Sequence, residues 1–566
     1  MRRISTAFFT LATLHSCAHA QLDAPWLTPI VIPGQTIIDP GTTVENVYWF
    51  DLRSREIGAF VLRLGGDENQ DALVVRDTTG FRIIAQRADP VPGGSPTDGL
   101  RLPTNGQFYA NAQGHVAFSS RIIPSPPQSP PPSGIFLFNG EGLESVTLVG
   151  RPAPGTSGEF VVGLSEYGTF EHFDLLGLSD EGELAFRAFI DGEGIDDTNN
   201  QGVWRGPSSD LRLVLRLGSH APGTDGNFSS IERAFDLPVE SAGANLVIHA
   251  ATDDEDSPFG IWVHDGERLI PRVIVGGSMP GPYEFEWFNE PEVNHRGQYA
   301  FRAIARDSEG RRIEGIWVDK GDGPVLVRDT TQPLEGFDAA VEHTFGPRIG
   351  PNGEVGYVLS MRAGVGVPSR TFAAAVVHDG STERVLSVQH RPAPLSEGII
   401  STMSAPGFCA DGRPIWSIQV GDNSASGRII YVLSDTGEPR VFQRDDICLD
   451  INPDPFVQDN RSFTGLYRDS SLVVDAILAR VTPDLSSSRG LYSVDFAAFS
   501  RGCIADLDDD GDVDAADFSL FGARFGNQEC RCDNSCLGDF DGDGQVELGD
   551  FGIFASEFGR TDCFDN

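Results

Sequence analysis

Seven times along this chain a turn built around one small residue leads into a short apolar strand. That recurrence restricts the fold more than any other feature. The copies are Asn111–Phe118 (NAQGHVAF), Ser179–Phe186 (SDEGELAF), Asn294–Phe301 (NHRGQYAF), Gly350–Tyr357 (GPNGEVGY) and Cys409–Trp416 (CADGRPIW), with degenerate ones at Ser241–Ile248 and Tyr467–Val474. The central column runs Gly114, Gly182, Ala244, Gly297, Gly353, Gly412, Ser470, in steps of 53 to 68 residues. Self-similarity at such a period is the mark of a repeat architecture. A second recurring line pairs a small residue with two apolar ones and often an aromatic: Gly134–Phe136, Gly202–Trp204, Gly260–Trp262 and Gly315–Trp317. Weaker copies begin at Ala72, Ala374, Ile429 and Gly490, and Gly260–Gly266 (GIWVHDG) is nearly repeated at Ala374–Gly380 (AAVVHDG).

Each unit has room for about four short strands. In the unit from Gly260 these are GIWVH, RLIPRVIVG, a stretch at Tyr283–Phe288, and QYAFRAIA. Apolar residues alternate or run in short blocks bounded by Gly, Pro, Asp and Asn, which is strand patterning. The turns Ala153-Pro154-Gly155, Ala221-Pro222-Gly223 and Met279-Pro280-Gly281 reverse the chain, because proline presets φ and glycine accepts positive φ. With 65 Gly and 37 Pro in 566 residues the chain is turn-rich, which argues against a helical bundle. Four antiparallel strands per unit describe a propeller blade. The expected fold is mainly β: a β-propeller-like repeat domain of seven or eight four-stranded units over residues 21–500. A linear array is the alternative. Closure of the ring is expected from pairing the incomplete unit at Gly490 with Asn46–Leu64, which would hide both sheet edges. Arg121–Gly134 (RIIPSPPQSPPPSG) reads as an extended loop between two units.

The column Asn-x-x-Gly-x-x-Ala-Phe, intact at Asn111–Phe118 and Asn294–Phe301, resembles the tandem NxxGxxAF-repeat proteins of exported bacterial proteomes. That resemblance covers roughly Val44 to Ser500 and implies a repeat domain joined to a C-terminal anchoring module, without an activity.

Chemistry is sparse in the repeats. Acids outnumber bases 82 to 42, a formal charge of −40, and such a field repels phosphate backbones, so no nucleic-acid partner is expected. His115, His172, His220, His249, His264, His295, His343, His378 and His390 show no metal-ligand spacing. His264 and His378 hold equivalent repeat positions and read as turn residues. Asn289-Glu290-Pro291 is similar to a glycosidase acid/base motif, but Pro291 and Val293 align with Pro347 and Ile349 of the next unit. No catalytic residue is assigned, and the ligand of the repeat domain is left open.

The tail, residues 501–566, carries the sharper chemistry. Asp506–Asp517 (DLDDDGDVDAAD) and Asp539–Asp550 (DFDGDGQVELGD) place carboxylates at loop positions 1, 3, 5, 9 and 12, with Gly at 6. A twelve-residue loop of that pattern wraps the oxygens that Ca²⁺ requires around one point. The metal ligands are expected to be Asp506, Asp508, Asp510, Asp512, Asp514 and Asp517 for one ion. Asp539, Asp541, Asp543, Gln545, Glu547 and Asp550 serve a second, with Asp512 and Gln545 offering backbone carbonyls. The register continues, since Phe518, Phe521, Phe525 and Gly526 match Phe551, Phe554, Phe558 and Gly559. Each loop is therefore followed by one amphipathic helix. Five cysteines (Cys503, Cys530, Cys532, Cys536 and Cys563) crowd this region and read as a disulfide framework. EF-hand-like loops duplicated as loop-then-helix, with Asp at position 12, resemble the type I dockerin module. The cysteines add a resemblance to the dockerin-like anchors of planctomycete-type exported proteins. The resemblance implies a small α-helical calcium-binding domain and a cohesin-like or other surface-anchoring partner.

At the other end, Arg2 and Arg3, the apolar run Ile4 to Leu14 and Ala18-His19-Ala20 read as a signal peptide over residues 1–20, cut before Gln21. Cys17 as a lipid acceptor is the alternative. No other stretch reaches the roughly 20 apolar residues of a spanning helix. The chain is thus expected to be secreted, cell-surface or periplasmic. The leading function is a binding or scaffold protein anchored through a calcium-dependent module. The alternative is a dockerin-tethered carbohydrate-active enzyme that degrades polysaccharide from acids in a propeller channel.

Overall fold

The computed structural model describes residues 27–31, 35, 42–54, 56–65, 71–102, 108–164, 170–171, 173–234, 245–276, 283–289, 291–294, 296–363, 371–394, 399–409, 411–420, 427–434, 437, 439–444, 457–458, 476–480, 489–494, 505–507, 512–527, 538, 540 and 545–561. Over these the chain is mainly β, and its strands assemble into eight antiparallel sheets of four or five strands that follow one another in sequence, with a further two-stranded sheet of Gly163–Leu164 and Phe170–Glu171 within the span of the third. The first contains Val44–Leu52, Gly58–Leu64, Asp71–Asp77 and Gly80–Gln86 in that spatial order. The second runs from Gly99–Arg101 to Leu143–Leu148, the third from Glu159–Val161 to Arg212–Arg216, and the fourth from Phe228–Ala234 to Leu269–Ile274. The fifth runs from Glu284–Phe288 to Pro324–Asp329, the sixth from Ala339–Ile349 to Glu383–Val388, and the seventh from Ile400–Met403 to Pro439–Arg444. The eighth takes Val457–Gln458, Ala476–Arg480 and Arg489–Val494, and is completed by Leu27–Val31 from the start of the chain.

Hydrophobic packing lies between the faces of successive sheets. One cluster joins Val61 and Leu73 of the first sheet to Phe108, Phe118 and Phe136 of the second. Another joins Val247 and Ile261 of the fourth to Phe285, Phe301 and Trp317 of the fifth. Because both faces are covered, central strands such as Gly58–Leu64 (GAFVLRL) are nearly continuous apolar runs. The early strands of neighbouring sheets also touch. Val44–Leu52 meets Phe108–Ala110, which meets Asp174–Leu178, and Ala339–Ile349 meets both Glu292–Val293 and Gly407–Phe408. The first sheet returns to the last, because Val44–Leu52 also lies against Arg489–Val494. Ile30 and Val31 pack with Val44, Val47 and Phe60. This sheet order, with its ends joined, is propeller-like.

Three sequence expectations change. The unit read from Gly260 straddles two sheets: Phe259–His264 and Leu269–Ile274 end the fourth, while Glu284–Phe288 and Tyr299–Arg306 begin the fifth. A repeating pattern sets the period but leaves the phase free. Closure does not use Asn46–Leu64, whose strands already belong to a complete first sheet; Leu27–Val31 pairs with Arg489–Val494 instead. The proline-rich stretch joins two neighbouring strands of the second sheet, Val116–Ile123 and Ser133–Phe138, and so lies inside a sheet. The degenerate copy at Tyr467–Val474 lies outside the described residues.

The described part of the tail contains two helices, α1 (Ala515–Gly522) and α2 (Leu548–Glu557). Among the described residues no helix is long and apolar enough to cross a membrane.

Candidate metal centre

Both acidic loops end on a buried aspartate held in the same way. Asp517 and Asp550 are 0% exposed. Asp517 Oδ1 accepts from the Leu507 N–H at 2.6 Å and Oδ2 from the Asp514 N–H at 2.8 Å. Asp550 accepts from the Phe540 and Glu547 N–H groups at the same 2.6 and 2.8 Å. In each loop the position-12 carboxylate thus closes the loop onto positions 2 and 9 and starts the helix. Asp514 also caps α1, its Oδ1 accepting from the Ala516 N–H at 2.6 Å.

The two halves are locked by reciprocal backbone pairing. Val513 exchanges hydrogen bonds with Gly559 and Arg560 beyond α2, and Val546 does so with Gly526 and Asn527 beyond α1. Ala505, Val513, Phe521, Val546 and Phe554 form the small core, with the rings of Phe521 and Phe554 stacked at 5.4 Å. Only the middle phenylalanine of each expected triple is buried. Phe518, Phe525, Phe551 and Phe558 are 40 to 55% exposed, because α1 and α2 are short and meet along a single line.

Carboxylate oxygens of Asp512, Asp514 and Asp517 lie within 4.8 Å of one another, the one grouping of potential metal ligands among the described residues. All are hard oxygen donors, which suits a cation of the Ca²⁺ class. Asp512 enters this group through its side chain, where the sequence assigned its backbone carbonyl. Asp506 is almost fully buried at the start of the loop. Asp508, Asp510, Asp539, Asp541 and Asp543, and all five tail cysteines, lie outside the described residues.

In the repeats, the residues that looked chemical serve the joints between sheets. Asn111 Oδ1 accepts from the Gln113 and His115 N–H groups, and its Nδ2 donates to the Ser179 carbonyl at 3.1 Å. Asn294 does the same, accepting from Arg296 and Gln298 and donating to the Gly350 carbonyl at 2.8 Å. Ser179 and Gly350 hold the asparagine position of the following unit. His264 and His378 accept from the N–H of Gly266 and Gly380 through Nδ1, each closing the same turn. Burial pushes both imidazoles below their ordinary pKa, with Arg205 adding to the shift at His264. Asn289 receives the Arg302 N–H at 2.7 Å, so it is bound into the ladder, and Glu290 lies outside the described residues.

Residues 23–265 match a family of unknown function (DUF7453), and residues 235–446 match it a second time. The chain belongs to that family. The overlapping matches cover the first seven sheets of this DUF7453 protein and its strand Leu27–Val31, and stop at residue 446, before the other three strands of the eighth sheet and the tail. No curated protein matches the chain. Among solved structures, a eukaryotic initiation factor is similar over 82% of this chain and 87% of its own, at 11% identity and a TM-score of 0.37. The Dos1 propeller is similar over 83% and 96%, at 10% identity and a TM-score of 0.34. The WD40 domain of SCAP from fission yeast is similar over 83% and 98%, at 10% identity and a TM-score of 0.31. Superpositions this loose assign nothing further to the DUF7453 chain.

Sequence reasoning missed the two partners of the Asn side chain, whose donor crosses to another sheet. It also missed the role of tryptophan. Trp204 and Trp262 donate through Nε1 to the carbonyls of Pro154 and Pro222, each at 2.9 Å, in the turns that lead into their own sheets. Both motifs were visible as recurring lines, but nothing local linked them.

Proposed function

We propose that this is an exported, non-enzymatic binding or scaffold protein: a propeller-like body joined to a dockerin-like module that folds around two Ca²⁺ ions and attaches the body to a surface partner. The observation that carries the reading is the duplicated geometry of Asp517 and Asp550, each buried, each accepting from positions 2 and 9 of its own loop. The acids of Asp506–Asp517 would hold one ion and those of Asp539–Asp550 the other. Bound Ca²⁺ supplies the positive charge that lets several carboxylates share one small volume. Around it, Leu507 and Asp514 orient Asp517, the reciprocal strands at Val513 and Val546 align the loops, and Phe521 and Phe554 keep water from between the helices. The body supports a scaffold role, since Asn111, Asn294, His264 and His378 are all committed to turns or joints.

Binding and folding of the tail should then be one equilibrium. Calorimetry of the full chain with excess Ca²⁺ should show a tail transition that chelator lowers or removes, while the transition of the sheets stays in place. Titration should give two sites, and Asp517→Asn should leave one. Superimposable traces with calcium and with chelator would end the proposal.

A further inference from the structure

A cavity of about 300 Å³ lies between the first and second sheets, lined by Tyr48, Trp49, Asp71, Arg87, Arg101 and Leu102 among others. Its size is at the lower end for small-ligand sites. Trp49 follows an irregularity in the pairing of Val44–Leu52 with Gly58–Leu64, and it is 44% exposed. Bulges of this kind re-aim side chains. By contrast Trp204, Trp262, Trp317 and Trp416 are fully buried, while Trp287 is exposed to a similar degree but lies under Arg302. The floor is stiffened. Arg63 lies 5.5 Å from the centre of the Tyr48 ring and pairs with Asp71 at 3.3 Å. Arg87 and Arg101 make no ion pair among the described residues. Arg87 and Arg101 thus line the same cavity as Asp71, whose carboxylate is held by Arg63, with Glu45 also near enough to act on Arg63.

We propose that this cavity binds an acidic sugar, a pyranose bearing one carboxylate, such as a uronate residue of a polysaccharide. The three requirements of the site select it together. The exposed face of Trp49 calls for a flat apolar surface, which the C–H face of a pyranose supplies. Arg87 and Arg101 call for an anion that fits a guanidinium fork. Asp71 only accepts hydrogen bonds when ionised, so it calls for hydroxyl donors and disfavours a phosphate. The inference rests on the body being a binding unit, as proposed above, but not on calcium in the tail.

The test is calorimetric titration of the full chain with trigalacturonate, followed in parallel by tryptophan fluorescence. Galactotriose and AMP serve as comparisons. Saturable binding of trigalacturonate with a change in emission is expected, and galactotriose should bind at least tenfold more weakly. Trp49→Ala should weaken trigalacturonate at least tenfold, and the Arg87→Gln/Arg101→Gln pair should bring it to the level of galactotriose. Trp287→Ala, at an exposed tryptophan on another sheet, should change nothing. Equal binding of the two trisaccharides, tighter binding of AMP, no binding at millimolar concentration, or indifference to Trp49→Ala would each overturn the inference. A calcium-dependent tail transition seen in the same protein would leave the preceding proposal standing.

Discussion

Asn294 shows how one side chain can hold three backbone groups of two sheets. Its oxygen accepts from Arg296 and Gln298 within the turn, and its nitrogen donates to Gly350 in the next sheet. It is 2% exposed, so water cannot substitute for any of these bonds. Asn294→Ala should cost about 2–3 kcal/mol, since buried donors and an acceptor are left unmade. Asn294→Asp should also destabilise, because it keeps the acceptor and sets a carboxylate against the Gly350 carbonyl. Urea unfolding of the two variants measures both, and a midpoint like that of the parent would show that the joint is dispensable. The glycine of this motif was legible without a structure. Gly114 and Gly297 have φ of 76° and 69°, which favours glycine in the turn. The asparagine was not, because its second partner is 56 residues away.

At the scale of the strand, Gly-x-Trp is a packing motif. Residues two apart share a face of a strand, and the indole folds back over the glycine. A Cβ on Gly260 would lie 2.4 Å from the Trp262 ring and one on Gly202 would lie 2.9 Å from the Trp204 ring. With the ring lying there, the indole N–H reaches the proline carbonyl of the entering turn, so strand and linker are fastened together. Gly260→Ala should therefore destabilise by about 1–3 kcal/mol through overpacking. Gly142→Ala, where an added methyl meets nothing within 4 Å, should fall within about 0.5 kcal/mol of the parent. Thermal melts of the pair decide it, and equal shifts would refute the packing account. In the tail, the helix starts follow from the same local logic, with Asp514 capping α1 and Asp517 closing back on it.

For the whole molecule the decisive contact is between the two ends of the sheet region. Leu27–Val31 supplies the outer strand of the eighth sheet, and Ile30 and Val31 are 3% and 0% exposed against the first. Removing residues 21–35 should leave Arg489–Val494 with an open edge and uncover the apolar cluster beside it. A lower unfolding midpoint and a larger radius of gyration are expected by calorimetry and small-angle scattering. Unchanged values would show that the ring holds without its closing strand.

The strand type, the turn glycines and the acidic loops follow from residues a few places apart, and the period follows from the recurrence of those local patterns along the chain, so the amino-acid sequence by itself determined them. Phe259–His264 reads as a strand from its own alternation, just as Asp506–Asp517 reads as a loop from its own spacing. Only the tertiary structure decided where one sheet ends and the next begins, since a two-strand shift of phase leaves every local pattern unchanged. It also decided that Leu27–Val31 closes the ring, that Asn111 reaches Ser179, and that Trp49 meets Arg87 and Arg101 in one cavity. These pairings are non-local. Their energy comes from hydrogen bonds and apolar contact between segments tens or hundreds of residues apart, and no short stretch of chain carries a record of its distant partner.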